Sequence, residues 1–438
     1  MTKVISTIGP ESEGSKTEFF INNSDVIRLN LSHNDISWHE KNIKLIKKIN
    51  SNRLILVDLP GIKPRTSNEI NLQIKKGQKV QFSNNKKFKN KNLIYISNPL
   101  PKIKKNKFFY ISDGSFQFKN LGIDKNILTG ISTQDFILTK KKGLNIPMSV
   151  YDNKGQEKLY FKFLKKIKKF QVDLIGLSFV QNSKILKKIK NKYPNYILVS
   201  KIENYLGYKN RKEIIENSDA IMIDRGDLSA EVGITKLFDY TDNIIDECKK
   251  KGKPVILATE NLNSLILNKQ PSKGDVINIE YYIKKKVDFL MLSEETAISK
   301  NSKNTLTWLK QYLKNKDTKK KESILKIEEI VNSLGNNILV IFSKKGYFYE
   351  KISSSNYNKL LVFTENKKLS KILQLKRNTE SILTKFPKKN LDSFLHREIK
   401  KNKNKIFKNN SFAYLVNILF PRQNSRANTI SLIEKRDF

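Results

Sequence analysis

Short runs of apolar, largely β-branched residues recur along the chain, and stretches whose apolar positions fall three and four apart lie between many of them. The runs are KVISTIGP from Lys3, DVIRLNLS from Asp25, LILVDLPG from Leu54, DLIGLSFV from Asp173, YILVSKIEN from Tyr196, AIMIDRGDL from Ala220, KPVILATE from Lys253 and DFLMLSEETA from Asp288. Segments such as ISWHEKNIKLIKKIN and NSKILKKIKNK have the spacing that gives a helix one apolar stripe to lay on a sheet. Eight strand–helix units in series predict an α/β chain built on a (β/α)₈ TIM barrel with a parallel sheet.

Between the third and fourth runs the alternation stops. Residues 67–141 read instead as short β segments with turns, INLQIKKGQKVQFSN, NLIYISN, KFFYISDGSFQF and ILTGIS. This predicts a small inserted β-barrel domain that leaves the main barrel just after Arg65 and returns at KGLNIP from Lys142. An insert in that place stands over the barrel mouth as a lid, able to exclude water. After Asn315 a Lys-rich linker, DTKKKES, leads to strand-like runs ILVIFS, KLLVFTE and AYLVNILF, a C-terminal α/β domain. The expected divisions are 1–66 with 142–315 for the barrel, 67–141 for the lid and 316–438 for the last domain.

Composition changes this picture little. The 438 residues are 38% hydrophobic, enough to fill a core in two or three domains. No secretory leader and no apolar run near the ~18 residues of a membrane span occurs, so a cytoplasmic protein without a membrane partner is expected. The single cysteine, Cys248, builds neither an internal disulfide nor a thiolate metal site by itself. A formal charge of +42 invites a nucleic-acid partner, but the lysines are spread along the chain together with Asn and Ile. No dedicated nucleic-acid partner is therefore expected.

The strand ends carry the chemistry. Arg28, Asn30 and Ser32 close the second run, Asp58 the third, and Lys201 and Glu203 the fifth; Asp227 follows the sixth, Thr259 ends the seventh, and Ser293 with Glu295 the eighth. One polar strand end is an ordinary cap, but in a barrel all of these ends share the opening where active sites assemble. Glu203 and Asp227, on neighbouring strands, offer hard oxygen ligands to one divalent cation, and Mg²⁺ takes one or two protein carboxylates. Lys201 is two residues from Glu203 and therefore on the same side of an extended strand. A lysine beside a metal-bound phosphate suits phosphoryl transfer, which works by positioning and charge neutralisation. The Gly226–Asp227 step, expected in a turn, offers backbone N–H groups to a carboxylate or phosphate. With no GxxxxGK[ST] loop and no GxGxxG after a strand, neither a P-loop nor a dinucleotide fold is indicated.

In order along the chain stand TIGP, IRLNLSH, SFV, SKIEN, SDAIMIDRGDLSAEV, KPVILAT and MLSEETA. With these motifs the chain resembles the pyruvate kinase family, strongly to about residue 315 and faintly beyond. The resemblance implies phosphoryl transfer between phosphoenolpyruvate and ADP, yielding pyruvate and ATP, with Mg²⁺ or Mn²⁺ as cofactor and a homo-oligomer, tetramer or dimer, as the assembly. On matching positions, Lys201 neutralises the moving phosphoryl group, Arg28 grips it, and Glu203 and Asp227 hold the metal. Thr259 and the Gly226–Asp227 backbone orient the substrate carboxylate, while Ser293 and Glu295 mark where water-mediated protonation of the enolate originates. Arg65 and Lys142, at the two lid hinges, meet nucleotide phosphates; His33 closes its motif among the binding residues, and Asp113 in SDGSF is the lid's own aspartate.

The resemblance also speaks to monovalent ions. Family members that need K⁺ hold it with Asn, Ser and Asp, follow that Asp with Thr, and carry Glu where this chain has Lys63. Here Asn30, Ser32 and Asp58 are kept beside Leu59 and Lys63, the pattern of the potassium-independent branch. Lys63 is expected to supply the missing unit charge, anchored by Asp58. Several positions depart from the family: Asp224 stands where ARGD has a small residue, Glu294 where LSGETA has glycine, and Glu260 and Asn261 follow Thr259. A glutamate at a position needing φ > 0 or close backbone approach would reshape the pocket. Two other readings follow, a diverged paralogue acting on another enol phosphate or 2-oxo acid in a biosynthetic pathway, and a catalytically silent scaffold.

Overall fold

The computed structural model describes residues 2–85, 93–102, 106–316, 338–343, 357–387, 389–407, 410–417 and 429–438. The linker DTKKKES lies outside the described residues. Eight strands form the main sheet: β1 (Lys3–Thr7), β2 (Val26–Asn30), β3 (Leu54–Leu59), β4 (Leu174–Leu177), β5 (Ile197–Ile202), β6 (Ala220–Asp224), β7 (Val255–Ala258) and β8 (Phe289–Leu292). They close in sequence order into a barrel in which every neighbouring pair is parallel.

Alternation along each strand divides two cores. Ile5, Leu56, Val199, Met222, Ile256 and Phe289 are among those filling the barrel interior, while Val4, Val57, Leu198, Ile221, Leu257 and Leu290 point outward to the helices. Aspartates set the strand starts. Asp25, Asp173, Asp219 and Asp288 each precede a strand and accept the backbone N–H of Val4, Ile55, Leu198 and Val255 on a neighbouring strand. The C-terminal helix Lys367–Gln374 seats on that same end. Lys371 pairs with Asp173 at 2.6 Å and Lys368 with Asp219 at 3.5 Å, and Leu375 joins the interior core. At the opposite end the inserted segment meets the barrel, where its Asp113 pairs with Lys63 at 2.8 Å.

The inserted segment forms a six-stranded sheet in the order 144–145, 108–111, 116–124, 127–132, 79–83, 93–95, and a separate two-stranded ladder of Leu72–Ile74 with Phe136–Leu138. The hinge segment 64–67 joins the two edges of this sheet: Leu144 N–H donates to the Pro64 carbonyl at 2.8 Å on one side, and Ser67 N–H donates to the Tyr95 carbonyl at 2.8 Å on the other, which rounds the sheet toward the expected small barrel. Its core is aromatic, with Phe109 and Phe118 stacked 5.1 Å apart and Phe82 edge-on to both. The last sheet has five strands, in the order 379–383, 359–364, 338–342, 412–417, 429–434; the final pair is antiparallel. Two of these, Thr379–Leu383 and Thr429–Glu434, were not foreseen, because neither carries a continuous apolar run. No helix among the described residues is long and apolar enough to cross a membrane.

Candidate active site at the barrel mouth

The strand ends deliver two charged groups that meet at the opening. In the first, Arg28 on β2 donates from Nη2 and Nε to Asp58 Oδ2 on β3, at 2.7 and 3.1 Å, and from Nη1 to Thr7 Oγ1 at 3.2 Å. Lys201 on β5 completes the group, with its ammonium 3.0 Å from Glu203, 3.1 Å from Asp224 and 3.4 Å from Asp58. Room for the Asp58 carboxylate exists because β4 presents Gly176 there, where a Cβ would stand 2.6 Å from Oδ1. Burial alone would raise the Asp58 pKa, but Lys201 and Arg28 together hold it below the usual carboxylate range. Burial would likewise lower Lys201, and its three carboxylates hold it well above the usual lysine range.

The second group is built on β6 and the helix Arg225–Val232 that starts directly after it. The expected turn at Gly226–Asp227 is therefore the first turn of a helix, whose N–H groups have no partner within the helix itself. Asp227 Oδ1 accepts from the Lys63 ammonium and from Asn145 Nδ2, and Lys63 also pairs with Asp113 of the lid at 2.8 Å. Lys63 is 2% exposed; burial would depress its pKa, but Asp113 and Asp227 drive it above the usual lysine range. In return Lys63 pulls Asp113 down to about 2. Next to Asp227, Glu231 is fully buried, accepts from the Tyr151 hydroxyl at 2.7 Å, and is pushed up to about 8 by burial.

This geometry corrects the expected anchoring of Lys63. Its ammonium makes no ion pair with Asp58, and no hydrogen bond to Asn30 or Ser32, among the described residues. Asp58 is already saturated by Arg28 and Lys201, and Asn30 Oδ1 accepts from the backbone N–H of Ser32 at 3.0 Å in a local turn. The lysine passes instead beneath the returning hinge strand, where Gly143 leaves space.

Glu203, Asp224 and Asp227 offer carboxylate oxygens within 4.8 Å of one another, a donor set of hard oxygens suited to a divalent cation. Glu203 Oε1 accepts from the Phe179 N–H at 2.6 Å, while its buried Oε2 faces the Lys201 ammonium without a well-aligned hydrogen bond. Burial raises the pKa of both Glu203 and Asp227. A cation at this point would relieve that penalty, so the residues fit a metal.

Thr259 sits just past β7 in the left-handed region at φ 62°, followed by Glu260 at φ 50°. For a β-branched residue this is a strained backbone. Arg225 holds it: its guanidinium donates to the carbonyls of Thr259 and Glu260 and to Asn261 Oδ1, and lies over the Tyr282 ring. The turn aims Thr259 Oγ1 at the Gly226 N–H, 2.9 Å away. Threonine hydroxyl and helix N-terminus thus converge on one small space.

Glu295 is fully committed elsewhere. Its Oε1 accepts from the N–H groups of Asn261 and Leu262 and its Oε2 from that of Ser293, so it ties the β7 and β8 loops together. The Ser293 hydroxyl is buried without a partner. Glu294 opens a short helix and is exposed, with no positive φ, so the glutamate brings no backbone strain. Arg65 and Lys142 lie on the paired hinge strands, joined by the Thr66 N–H to the Lys142 carbonyl at 2.9 Å. His33 is exposed, and desolvation foremost, then the nearby Arg65 and Arg28, lower its pKa.

The site therefore joins Arg28, Asp58, Lys201 and Glu203 directly, then Lys63, Asp113 and Asp227, then Thr259 and Gly226. Sequence reasoning missed Asp224 as a partner of Lys201, and it missed Arg225, Asn145, Tyr151 and Glu231. Asp224 and Arg225 stand at the end of β6, where the same strand-end logic applied to Asp227 would have found them.

A family model described as "Pyruvate kinase, barrel domain" matches residues 1–306. The pyruvate kinase of Thermococcus litoralis is 32% identical over 313 residues, covering 68% of this chain and 66% of that protein. That of Sporosarcina psychrophila is 31% identical over 314 residues, 68% of this chain and 53% of the relative. That of Methanocaldococcus jannaschii is 28% identical over 405 residues, 87% of this chain and 88% of the relative. The chain thus matches between about half and nine tenths of these relatives' lengths.

Proposed function

The chain belongs to the pyruvate kinase family, and on that footing we propose that it transfers a phosphoryl group from phosphoenolpyruvate to ADP, giving pyruvate and ATP. The observation that carries this reading is the meeting of the Lys201 ammonium with Glu203 and Asp224, beside Asp227 and within reach of Arg28 through Asp58. Phosphoryl transfer asks for fixed positive charge round a moving PO₃ group more than for covalent chemistry.

In this reading Glu203 and Asp227 hold Mg²⁺, with Mn²⁺ able to take its place. The ion's contribution when bound is to neutralise phosphoryl oxygens. Lys201 follows the charge that develops on the transferred group, and Arg28, fixed by Asp58 and Thr7, holds its other side. Thr259 Oγ1 and the N–H groups of Gly226 and Asp227 orient the substrate carboxylate, which replaces the hydrogen bond that now joins threonine and glycine. Ser293, whose hydroxyl is unpartnered, orders the water that protonates the enolate; Glu295 positions the loop. Arg65 and Lys142 meet the nucleotide phosphates, and Lys63 supplies the unit charge that makes K⁺ unnecessary, held by Asp227 and Asp113.

A coupled assay of the purified protein with phosphoenolpyruvate, ADP and Mg²⁺, with and without K⁺, tests this. Turnover in both salts is the expected result. No turnover in either overturns the proposed activity, and turnover only with K⁺ overturns the role of Lys63 alone. A family member tuned to a different enol phosphate is the second reading. It rests on Glu260 and Glu294, two exposed carboxylates beside Thr259 and Ser293.

A further inference from the structure

Away from the mouth, the helices Asn153–Ile167 and Lys184–Lys192 flank a groove of about 1260 Å³ on the outside of the barrel. Nine of its twelve lining residues are lysines, and its one carboxylate, Glu157, is taken up by Lys188 at 2.8 Å. Lys169 reaches Glu40 at 3.1 Å; the other seven lysines have no carboxylate partner among the described residues. This is not the chain's background. Lys and Arg outnumber Asp and Glu 84 to 42 overall, whereas between Lys154 and Lys192 twelve lysines face two carboxylates. The second of those, Asp173, is bound to Lys47 and Lys371 at the closed end of the barrel.

Rings lie among these charges. Phe161 and Tyr193 are half-buried in the groove, 6.3 Å apart between centroids, and Tyr196 continues the row at 6.0 Å from Tyr193. The Lys192 ammonium stands 5.1 Å from the Phe161 centroid. A row of aromatic faces bordered by unpaired ammonium groups is the surface on which unpaired bases stack while phosphates meet lysines. The two helices and the turn after the first set these lysines along one wall.

We propose that this groove binds single-stranded nucleic acid, RNA or DNA, through its phosphates and its stacked bases. Duplexes hide the base faces that Phe161 and Tyr193 would meet, while polyphosphate or an anionic lipid surface would need only the lysines. The site is independent of the reaction proposed at the mouth.

The test is fluorescence anisotropy of the full chain with labelled oligo(U) and oligo(dT) of about twenty nucleotides, a length that spans more than one typical single-strand site, over a salt series. Binding that weakens linearly in log–log form with salt is expected. Lys162→Glu/Lys165→Glu/Lys166→Glu should weaken it at least about tenfold, as loss of several phosphate contacts does. The control Lys300→Glu/Lys310→Glu/Lys314→Glu, the same charge change on exposed lysines elsewhere, should cost under about threefold through net charge alone. Phe161→Leu, which keeps apolar volume, should weaken oligo(U) several-fold and leave binding of inorganic polyphosphate unchanged. A Gln triple at 162, 165 and 166 replaces the Glu triple if thermal melting shows that reversal unfolds the chain. Equal losses from the two triples, an inert Phe161→Leu, or binding to phosphatidylserine vesicles without binding to either oligonucleotide would each overturn the proposal.

Discussion

The Asp224 carboxylate stands 3.1 Å from the Lys201 ammonium, and the same carboxylate falls within 4.8 Å of ligand oxygens of Glu203 and Asp227. One aspartate thus borders both the cation that would follow the phosphoryl group and the oxygens that would hold a metal. Asp224→Asn removes one negative charge from that cluster while preserving shape. Mn²⁺ affinity, followed by the electron paramagnetic resonance of the free ion, should fall about tenfold, the lower range for losing an outer partner of a metal site. An unchanged affinity would confine Asp224 to holding Lys201.

Lys63→Glu places a third carboxylate against Asp113 and Asp227. Like charges in a buried site repel until a cation enters. Activity without K⁺ should fall at least about tenfold, as misplacing a group at a catalytic centre does, and added K⁺ should restore most of it. Kinetics indifferent to K⁺ in this variant would rule out the lysine as the resident charge.

Arg225→Lys removes the planar fork that binds two carbonyls and the Asn261 side chain at once. The left-handed backbone at Thr259 and Glu260, strained by about 1–3 kcal/mol per residue, would relax. KM for phosphoenolpyruvate should rise about tenfold with a smaller change in kcat, since the threonine would leave the helix N-terminus. Equal falls in kcat and kcat/KM would point to a different role.

Glu231 gives a pH signature. Its carboxyl has an ordinary value of 4.5 when the chain is unfolded and about 8 when folded, so between these limits the folded state holds a proton that the unfolded state releases. This contribution to stability is fully present below about pH 4.5 and is lost as pH rises through about 8. Glu231→Gln, neutral throughout, should therefore raise Tm at pH 8 more than at pH 5 when both proteins are melted with EDTA. A shift of the same size at both values would mean that Glu231 is charged in the fold.

Much of this architecture was legible because it rests on local periodicity. All eight barrel strands fall inside the apolar runs, and four aspartates, three opening a run and Asp219 just before one, lock each start to a neighbour. The site was legible where a residue type has few other uses, as with Lys201, Glu203 and Asp227 at strand ends. What escaped depends on pairing across the chain. No pattern near Lys63 reveals that its ammonium reaches Asp227 and Asp113, 164 and 50 residues away, and not Asp58. Asp224 looked like a departure because its partner, Lys201, is on another strand. Strands such as Thr379–Leu383 escaped because polar residues interrupt them, and their neighbours in the sheet supply the order instead.

Gly143 has no Cβ, and one placed there would come within 2.3 Å of the Lys63 stem. The two positions are therefore not free to vary independently. A side chain at 143 would have to push aside the end of the Lys63 side chain, and with it the pairs its ammonium makes with Asp113 and Asp227, so a change at the hinge would be felt as a shift of charge between lid and barrel.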